Sequence, residues 1–174
     1  MRGEVELREA APAEYPDIIA MTNRAFREPA GQAGWKVETL VEGQRIDESL
    51  LRDDMATPGA RLLVWREAGE HMGHVRLDEA PDGAWYLAML TVRPDQQDGG
   101  LGRRLLAAAE DFARARGGRR MRMTVVHQRA ELIAWYVRRG YAVTGETKPF
   151  PYGDDRFGRP NQDGLYFDVL EKAL

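Results

Sequence analysis

A buried strand that leads through a glycine-rich loop into an amphipathic helix limits the possible folds of this chain more than any other feature. The stretch covers residues 89–117, and its first four residues, 89–92, are apolar or β-branched. From Leu101 onward, apolar residues recur at helical spacing. We therefore predict a strand, a loop and a helix that ends before Gly117. The loop and the helix start contain three closely spaced glycines: Gly99, Gly100 and Gly102.

The junction between this loop and the helix has the properties of an anion-binding site. N–H groups in the first helical turn have no intrahelical partner, and the helix dipole adds partial positive charge there. Glycines let a phosphate approach the backbone because no Cβ stands in the way. Arg103 and Arg104 place two cations where a helix without an anionic ligand favours Asp or Glu. The sequence thus predicts a site for a phosphate or pyrophosphate.

Two common phosphate motifs do not fit the loop. A P-loop ends in Gly-Lys-Ser/Thr, whereas this loop has Gly102-Arg103-Arg104. A dinucleotide-binding fingerprint requires a third glycine where Leu105 stands. The arrangement that fits is Gln97-x-x-Gly100-x-Gly102 after Val92-Arg93-Pro94. It resembles the coenzyme A pyrophosphate loop of the GNAT superfamily, the acyl-CoA-dependent N-acyltransferases.

A second segment carries the same resemblance. Residues 129–139 have helical spacing, and Gly140 follows as the expected C-terminal glycine. The pattern Tyr136-x-x-x-Gly140-Tyr141 resembles the helix that follows the fifth strand of GNAT enzymes. Many members carry an asparagine seven residues before the tyrosine, whereas this chain has Arg129, which could reach a phosphate instead.

The order of elements along nearly the whole chain also resembles that family. Short turns predict an antiparallel meander, and the helix between Ala84–Val92 and residues 121–127 predicts a parallel pair with a right-handed crossover. The fold class expected is α+β: a GNAT-like mixed α/β sandwich in one domain, 1–174. Its mostly antiparallel sheet has about seven strands, one parallel pair splayed around the coenzyme, and about four flanking helices. The other strands are predicted at 5–7, 61–66, 72–78 and 165–170, with a further strand beginning at 141–143. The other helices are predicted at 12–27 and 47–55, the latter capped by Asp47.

Composition excludes several classes of protein. The 174 residues include 43% hydrophobic residues, enough for the core of one domain. A net charge of −3 argues against general nucleic-acid binding. The absence of cysteine rules out disulfides and thiolate chemistry. Because no apolar run is long enough to span a membrane and the first residues lack a signal-peptide core, we expect a cytoplasmic protein without a membrane partner. Exposed strand edges make a homodimer plausible.

The resemblance implies acetyl-CoA as co-substrate, no metal, and direct attack of an amine on the thioester through a tetrahedral intermediate. It assigns Tyr136 as general acid, since a phenol of pKa ~10 suits a thiol of pKa ~8.5. A main-chain N–H at Leu90, beside the family's strand bulge, would stabilise the oxyanion. The implied coenzyme-binding residues are Leu90, Thr91, Val92, Gln97, Gly99, Gly100, Leu101, Gly102, Arg103 and Arg129.

The general base stays unassigned. Glu79, His74 and His127 are candidates, as is a chain of water molecules. His71 and His74 form H-x-x-H, but residues three apart on a strand point to opposite faces. We therefore expect surface histidines rather than a metal pair.

The acceptor is expected to be a primary amine of a small molecule or an amino acid. The alternative is a non-catalytic acyl-CoA-binding sensor or partner-binding module, and a nucleotide-phosphate enzyme is a weaker third interpretation. Trp35 is expected to plug the edge of the core, with a pocket-lining role as the alternative. Arg45 is expected to be solvated, with an anionic substrate group as its alternative partner. Residues 148–161 could shape the acceptor pocket.

Overall fold

The computed structural model describes residues 3–27 and 41–174, without the side chains of residues 27, 42 and 96–98. The helices are α1 (Tyr15–Arg27), α2 (Glu48–Met55), α3 (Leu101–Arg114) and α4 (Ala130–Val137). Short 3-10 turns occupy Pro12–Glu14, Pro94–Gly99 and Asp155–Phe157. The strands are β1 (Leu7–Glu9), β2 (Val41–Glu42), β3 (Ala60–Glu67), β4 (Glu70–Glu79), β5 (Ala84–Val92), β6 (Arg120–Val126), β7 (Ala142–Pro149), β8 (Arg159–Pro160) and β9 (Tyr166–Ala173). No helix in the described ranges is both long enough and apolar enough to cross a membrane.

The main sheet has seven strands in the order β1-β3-β4-β5-β6-β9-β7. Every neighbouring pair is antiparallel except β5 and β6, which run parallel. The predicted fold class is thereby confirmed: a mixed sheet with one parallel pair and helices packed on it. A separate antiparallel pair, β2 with β8, was not predicted from the sequence.

The parallel pair is short, and this shortness opens the sheet. β5 and β6 pair only over Ala84–Tyr86 and residues 120–122. Beyond that point the two strands part, while β6 stays paired with β9 along its whole length. The sheet therefore has a gap between β5 and β6 at the carboxyl ends of both strands.

The alternation of side chains in β3 divides the core between the two faces of the sheet. Leu63 and Trp65 belong to a large cluster with the buried residues of α3 and with Tyr136 of α4. Leu62 and Val64 point the other way, into a smaller cluster built from α1 and α2. α3 and α4 thus cover one face and α1 and α2 cover the other, as period-2 strands require.

A bulge in β4 corrects the prediction for the two histidines. Trp65 pairs with Gly73 and Arg66 with His71, so Met72 is an extra residue. The extra residue reverses the alternation, and His71 and His74 lie on one face with Nε2 of the first 3.1 Å from Nδ1 of the second. His74 is fully buried, not at the surface, and its Nε2 lies 2.7 Å from the Thr22 hydroxyl. Burial lowers the pKa of His74 well below its usual value, so this imidazole is neutral at physiological pH.

Most predicted boundaries agree with the structure to within one or two residues. Asp47 caps α2 as predicted, with its Oδ1 accepting the Leu50 N–H at 2.8 Å. Two predictions were wrong in extent: the first strand lies at Leu7–Glu9 rather than 5–7, and the last strand continues to Ala173 rather than ending at Leu170. The strand predicted to begin at 141–143 begins at Ala142 and continues to Pro149. Trp35 lies outside the described residues.

Candidate active site

A cavity of about 520 Å³ occupies the gap between β5 and β6. One side is formed by residues 87–92 of β5 and another by residues 123–126 of β6. α4 contributes Leu132, Trp135 and Tyr136, while the end of α1 contributes Ala25 and Phe26. The splayed parallel pair therefore creates a cavity at the place where both halves of the fold meet.

β5 bulges where it borders this cavity. His74 pairs with Thr91 and Arg76 with Ala88, so two β5 residues, Met89 and Leu90, lie opposite one β4 residue. Met89 adopts φ +55°, a left-handed conformation that is costly for a non-glycine residue. Past Tyr86, the edge of β5 that faces β6 is unpaired among the described residues. A strand edge of this kind can accept an extended ligand as an additional strand.

The N-terminus of α3 opens on the same cavity through Gly102. The first intrahelical bond runs from the Arg104 N–H to the Gly100 carbonyl at 3.1 Å. The N–H groups of Leu101, Gly102 and Arg103 precede that bond, and the first turn contains no acidic residue. Gly100 is the N-cap at φ +72°, a conformation that favours glycine. These features retain the anion-site character that the sequence predicts.

The two arginines after Gly102 differ in their surroundings. An ideal Cβ on Gly100 would lie 3.6 Å from the Arg103 guanidinium, so this side chain lies over the helix start. Arg104 instead donates to the Gly3 carbonyl at 2.7 Å and to Glu67 at 3.2 Å, and it stacks over Trp65. The expectation that both cations serve the anion site is therefore wrong for Arg104, whose charge is paired elsewhere.

Tyr136 lies on the cavity wall and is only 6% exposed. Its ring makes edge-to-face contacts with Trp135 and Tyr141 at centroid distances of 5.0 and 5.6 Å. Burial raises the pKa of Tyr136 well above its usual value, and the nearby Arg129 opposes that shift. The phenol is therefore protonated at neutral pH and able to donate a hydrogen bond. Because its pKa is raised, the phenol is a weaker acid than a free one, and complete transfer of its proton to a thiolate is less favourable.

None of the three candidate bases lines the cavity. Glu79 pairs with Trp85 near the opposite end of β5. His74 is enclosed beneath α1 by Thr22, and His127 stacks on Tyr166 at a centroid distance of 3.8 Å. Among the described residues, no carboxylate and no imidazole lines the cavity.

Arg45 lies on the cavity wall, a position that sequence reasoning did not expect. Its guanidinium carbon lies over the rings of Phe26 and Phe157, 5.6 and 5.7 Å from their centroids, and Arg45 lines the cavity. Its Nη1 is shielded from solvent and has no hydrogen-bond partner in the described part of the chain. Burial lowers the pKa of Arg45. The expectation of a solvated arginine is therefore wrong.

The predicted site residues fall into three groups by their place in the structure. Six of them line the cavity together: Leu90, Thr91, Val92, Gly102, Arg129 and Tyr136. Gly99, Gly100, Leu101 and Arg103 lie in the adjoining turn and first helical turn. The Gln97 side chain lies outside the described part of the structure. Within the described residues, no group of three or more His, Cys, Asp or Glu residues could hold a metal ion.

The end of β7 and the segment after it contribute the last part of the wall. Lys148, Pro149, Phe150, Pro151 and Phe157 all line the cavity. Phe150 stacks on Phe167 of β9 with centroids 5.5 Å apart. The segment that the sequence suggested as a pocket-forming excursion thus makes one aromatic side of the cavity.

Sequence comparison gives one family and one related protein. A model of the acetyltransferase (GNAT) family matches residues 19–141. A protein named IAA acetyltransferase from Azospirillum brasilense is 35% identical over 103 residues. That match covers 58% of this chain and 65% of the other protein, so the chain spans slightly less than two thirds of its relative.

Solved structures give the same fold at low identity. The IAA acetyltransferase from Bacillus cereus ATCC 14579 superimposes with a TM-score of 0.69 at 14% identity, covering 98% of this chain and 100% of that one. A GNAT family acetyltransferase from Elizabethkingia anophelis with acetyl-CoA bound has a TM-score of 0.69 at 12% identity, with coverage of 99% and 100%. At these identities the likeness shows the fold.

Proposed function

The chain belongs to the acetyltransferase (GNAT) family, and from this premise we propose that it transfers the acetyl group of acetyl-CoA to a primary amine. The acceptor is a small molecule or an amino acid. The observation that carries the proposal is one cavity on which the bulged edge of β5, the N-terminus of α3 and Tyr136 all open. Each of the three supplies a different requirement of acetyl transfer from a thioester.

Two elements provide the binding of the coenzyme. The pyrophosphate is assigned to the N–H groups of Leu101, Gly102 and Arg103, with the guanidinium of Arg129 on the same cavity. The pantetheine arm is assigned to the free edge of β5 at residues 90–92, where it would bond like an additional strand. The acetyl-CoA bound in the Elizabethkingia anophelis protein of the same fold supports this choice of ligand.

The reaction is a direct displacement at the thioester carbonyl. The amine nitrogen forms the new C–N bond, the C–S bond breaks, and the thiolate leaves with coenzyme A. The Leu90 N–H is assigned to the oxygen that becomes negative, since a preorganised donor at that oxygen is often the largest catalytic term. The Tyr136 hydroxyl is assigned to the departing sulfur as hydrogen-bond donor. Loss of the amine proton is assigned to water, because the described lining contains no carboxylate and no imidazole.

The test is thiol release from acetyl-CoA across a panel of primary amines. Replacing Tyr136 with Phe removes the donor without changing the ring, so kcat is expected to fall roughly 10²-fold while acetyl-CoA affinity is kept. Tyr166→Phe is the matched control, because Tyr166 is exposed and does not line the cavity.

Two outcomes would contradict the proposal. Equal rates in wild type and Tyr136→Phe would remove this tyrosine from the mechanism. Tight coenzyme binding without thiol release for any amine would favour a non-catalytic acyl-CoA-binding module over an enzyme.

A further inference from the structure

We infer that the acceptor amine carries a carboxylate and an apolar side chain, as an amino acid does, and that Arg45 binds the carboxylate. The inference rests on the proposed acetyl transfer and names the class of its acceptor. It starts from a cation whose shielded nitrogen has no partner among the described residues, on the wall of the cavity.

Hydrogen bonds to α1 hold the main chain at Arg45 in place. The N–H groups of Arg45 and Ile46 both donate to Oδ1 of Asn23 in α1, at 2.7 and 3.0 Å. The Asn23 amide donates in turn to the Ile46 carbonyl at 3.0 Å. Ile46 is itself fully buried. The main chain at Arg45 is thus fixed to α1, so the side chain starts from a defined position on the cavity wall.

The half-buried guanidinium has a shielded Nη1 and lacks a paired anion among the described residues. Asp54 is the acidic residue whose charge raises the pKa of Arg45, but its carboxylate is bonded to Arg76 at 3.0 Å. Arg45 itself forms no ion pair with a described carboxylate. A buried charge without a partner is unfavourable, and an arginine is best satisfied by two parallel hydrogen bonds to one carboxylate. A ligand carboxylate would supply both.

The position of Arg45 assigns this carboxylate to the acceptor rather than to the coenzyme. Phosphate binding is assigned to the start of α3 and to Arg129 before α4, which form a different part of the wall. The neighbours of Arg45 are the rings of Phe26 and Phe157, and Phe150 belongs to the same aromatic side. Such a wall suits an apolar side chain attached to the carboxylate.

The charge of the cavity favours the same class. The charged residues that line it are Arg45, Arg129 and Lys148, and no acidic residue is among the described lining. A polyamine would bring additional positive charge into this surface. An amino acid brings a carboxylate that balances its own ammonium group, so it can enter without net repulsion.

The test compares amino acids with the amines formed by removing their carboxyl group: phenylalanine with phenethylamine, leucine with isoamylamine, and tryptophan with tryptamine. Wild type is expected to show a lower KM for the carboxylate member of at least one pair. Arg45→Met is expected to raise that KM about 10- to 100-fold, as loss of a charge-assisted hydrogen bond does. The KM of the decarboxylated amine and the acetyl-CoA affinity should not change.

Two further variants sharpen the comparison. Arg45→Lys keeps the charge but not the paired donors, so it should restore part of the lost affinity. Arg52→Met removes an equally charged side chain from the exposed surface of α2, where it pairs with Glu48, and should behave as wild type. A preference for the decarboxylated amines, or a carboxylate preference that survives in Arg45→Met, would overturn the inference.

A binding measurement separates this inference from the proposed reaction. N-acetyl-L-phenylalanine carries the carboxylate but cannot be acetylated again, so calorimetry reports the site without turnover. Arg45-dependent binding in the absence of any thiol release would support the carboxylate site and overturn acetyl transfer. Thiol release together with Arg45-independent binding would overturn the carboxylate site and leave acetyl transfer in place.

Discussion

Burial has opposite consequences for the two side chains that matter most to the proposed chemistry. It raises the pKa of Tyr136, because a phenolate is poorly solvated there, and so preserves the neutral donor. It lowers the pKa of Arg45 and leaves a cation that favours an anionic ligand. Both effects come from side chains brought together by the fold, chiefly Trp135 and Tyr141 around one residue and Phe157 beside the other.

The raised pKa of Tyr136 predicts the shape of the pH–rate profile. A raised pKa means that the hydroxyl keeps its proton to a higher pH than a free phenol, whose pKa is ~10. The value of kcat should therefore rise with pH as the amine loses its proton, and it should not fall again below pH ~10. Steady-state rates from pH 6 to 10 measure this. An alkaline fall below pH ~9 that disappears in Tyr136→Phe would contradict the assignment.

At the residue scale, sequence reasoning was strongest where a motif marks a position. The spacing of Tyr136 and Gly102 predicted two residues that the structure places on one cavity. It failed for Arg45 and His74, because the burial of a single residue depends on partners distant in sequence. Phe157 lies over Arg45 from another part of the chain, and Thr22 contacts His74 from α1. No local pattern carries that information.

At the scale of elements, the two bulges decide which way the side chains of β4 and β5 face. The bulge at Met72 turns His74 inward, and the bulge at Met89 interrupts the β4–β5 ladder beside Leu90. Neither position is a glycine, and the apolar run of β5 reads as a regular strand. A bulge is a property of pairing between two strands, so it could not be located from these residues. The resemblance to the family was the only indication of the second one.

The turn before α1 joins three elements through one carboxylate. Glu14 accepts hydrogen bonds from Arg8 of β1 at 2.6 and 2.9 Å, from Arg66 of β3 at 3.2 Å and from the Ala11 N–H at 2.8 Å. The bonds from Arg8 contribute most to lowering the pKa of Glu14 from 4.5 to about 2. This carboxylate thereby ties the start of α1 to the edge of the sheet.

We expect Glu14→Gln to lower the free energy of unfolding by about 1–2 kcal/mol at pH 7, allowing for solvent screening. A carboxylate whose pKa is lowered by folding stabilises the folded state at pH values above the unfolded pKa. That stabilisation is lost as the pH falls through the folded pKa. The difference between wild type and variant should therefore shrink between pH 4.5 and 2. Urea unfolding at several pH values measures it, with the exposed Glu48→Gln as control. A difference that stays constant over that range would exclude this role for Glu14.

At the scale of the whole molecule, the order of strands and helices follows from the sequence pattern because each element has a clear period. The meander, the crossover helix α3 and the parallel pair were all predicted and are all present. The pairing of β2 with β8 was not, since two-residue strands leave no periodic signal. The depth of the gap between β5 and β6 depends on where their pairing stops, and no local sequence pattern marks that point.

The proposed acetyl transfer depends above all on binding of a coenzyme pyrophosphate by the exposed amides at the start of α3. Calorimetric titration of acetyl-CoA into wild type and Gly102→Val tests it most directly. An ideal Cβ at Gly102 would lie 3.6 Å from Trp135, an ordinary contact, so the protein tolerates that atom while the valine blocks the amides. Ala107→Val adds similar bulk to the exposed face of the same helix and serves as control. We predict ~10- to 100-fold weaker binding in Gly102→Val alone, and unchanged affinity would contradict the account.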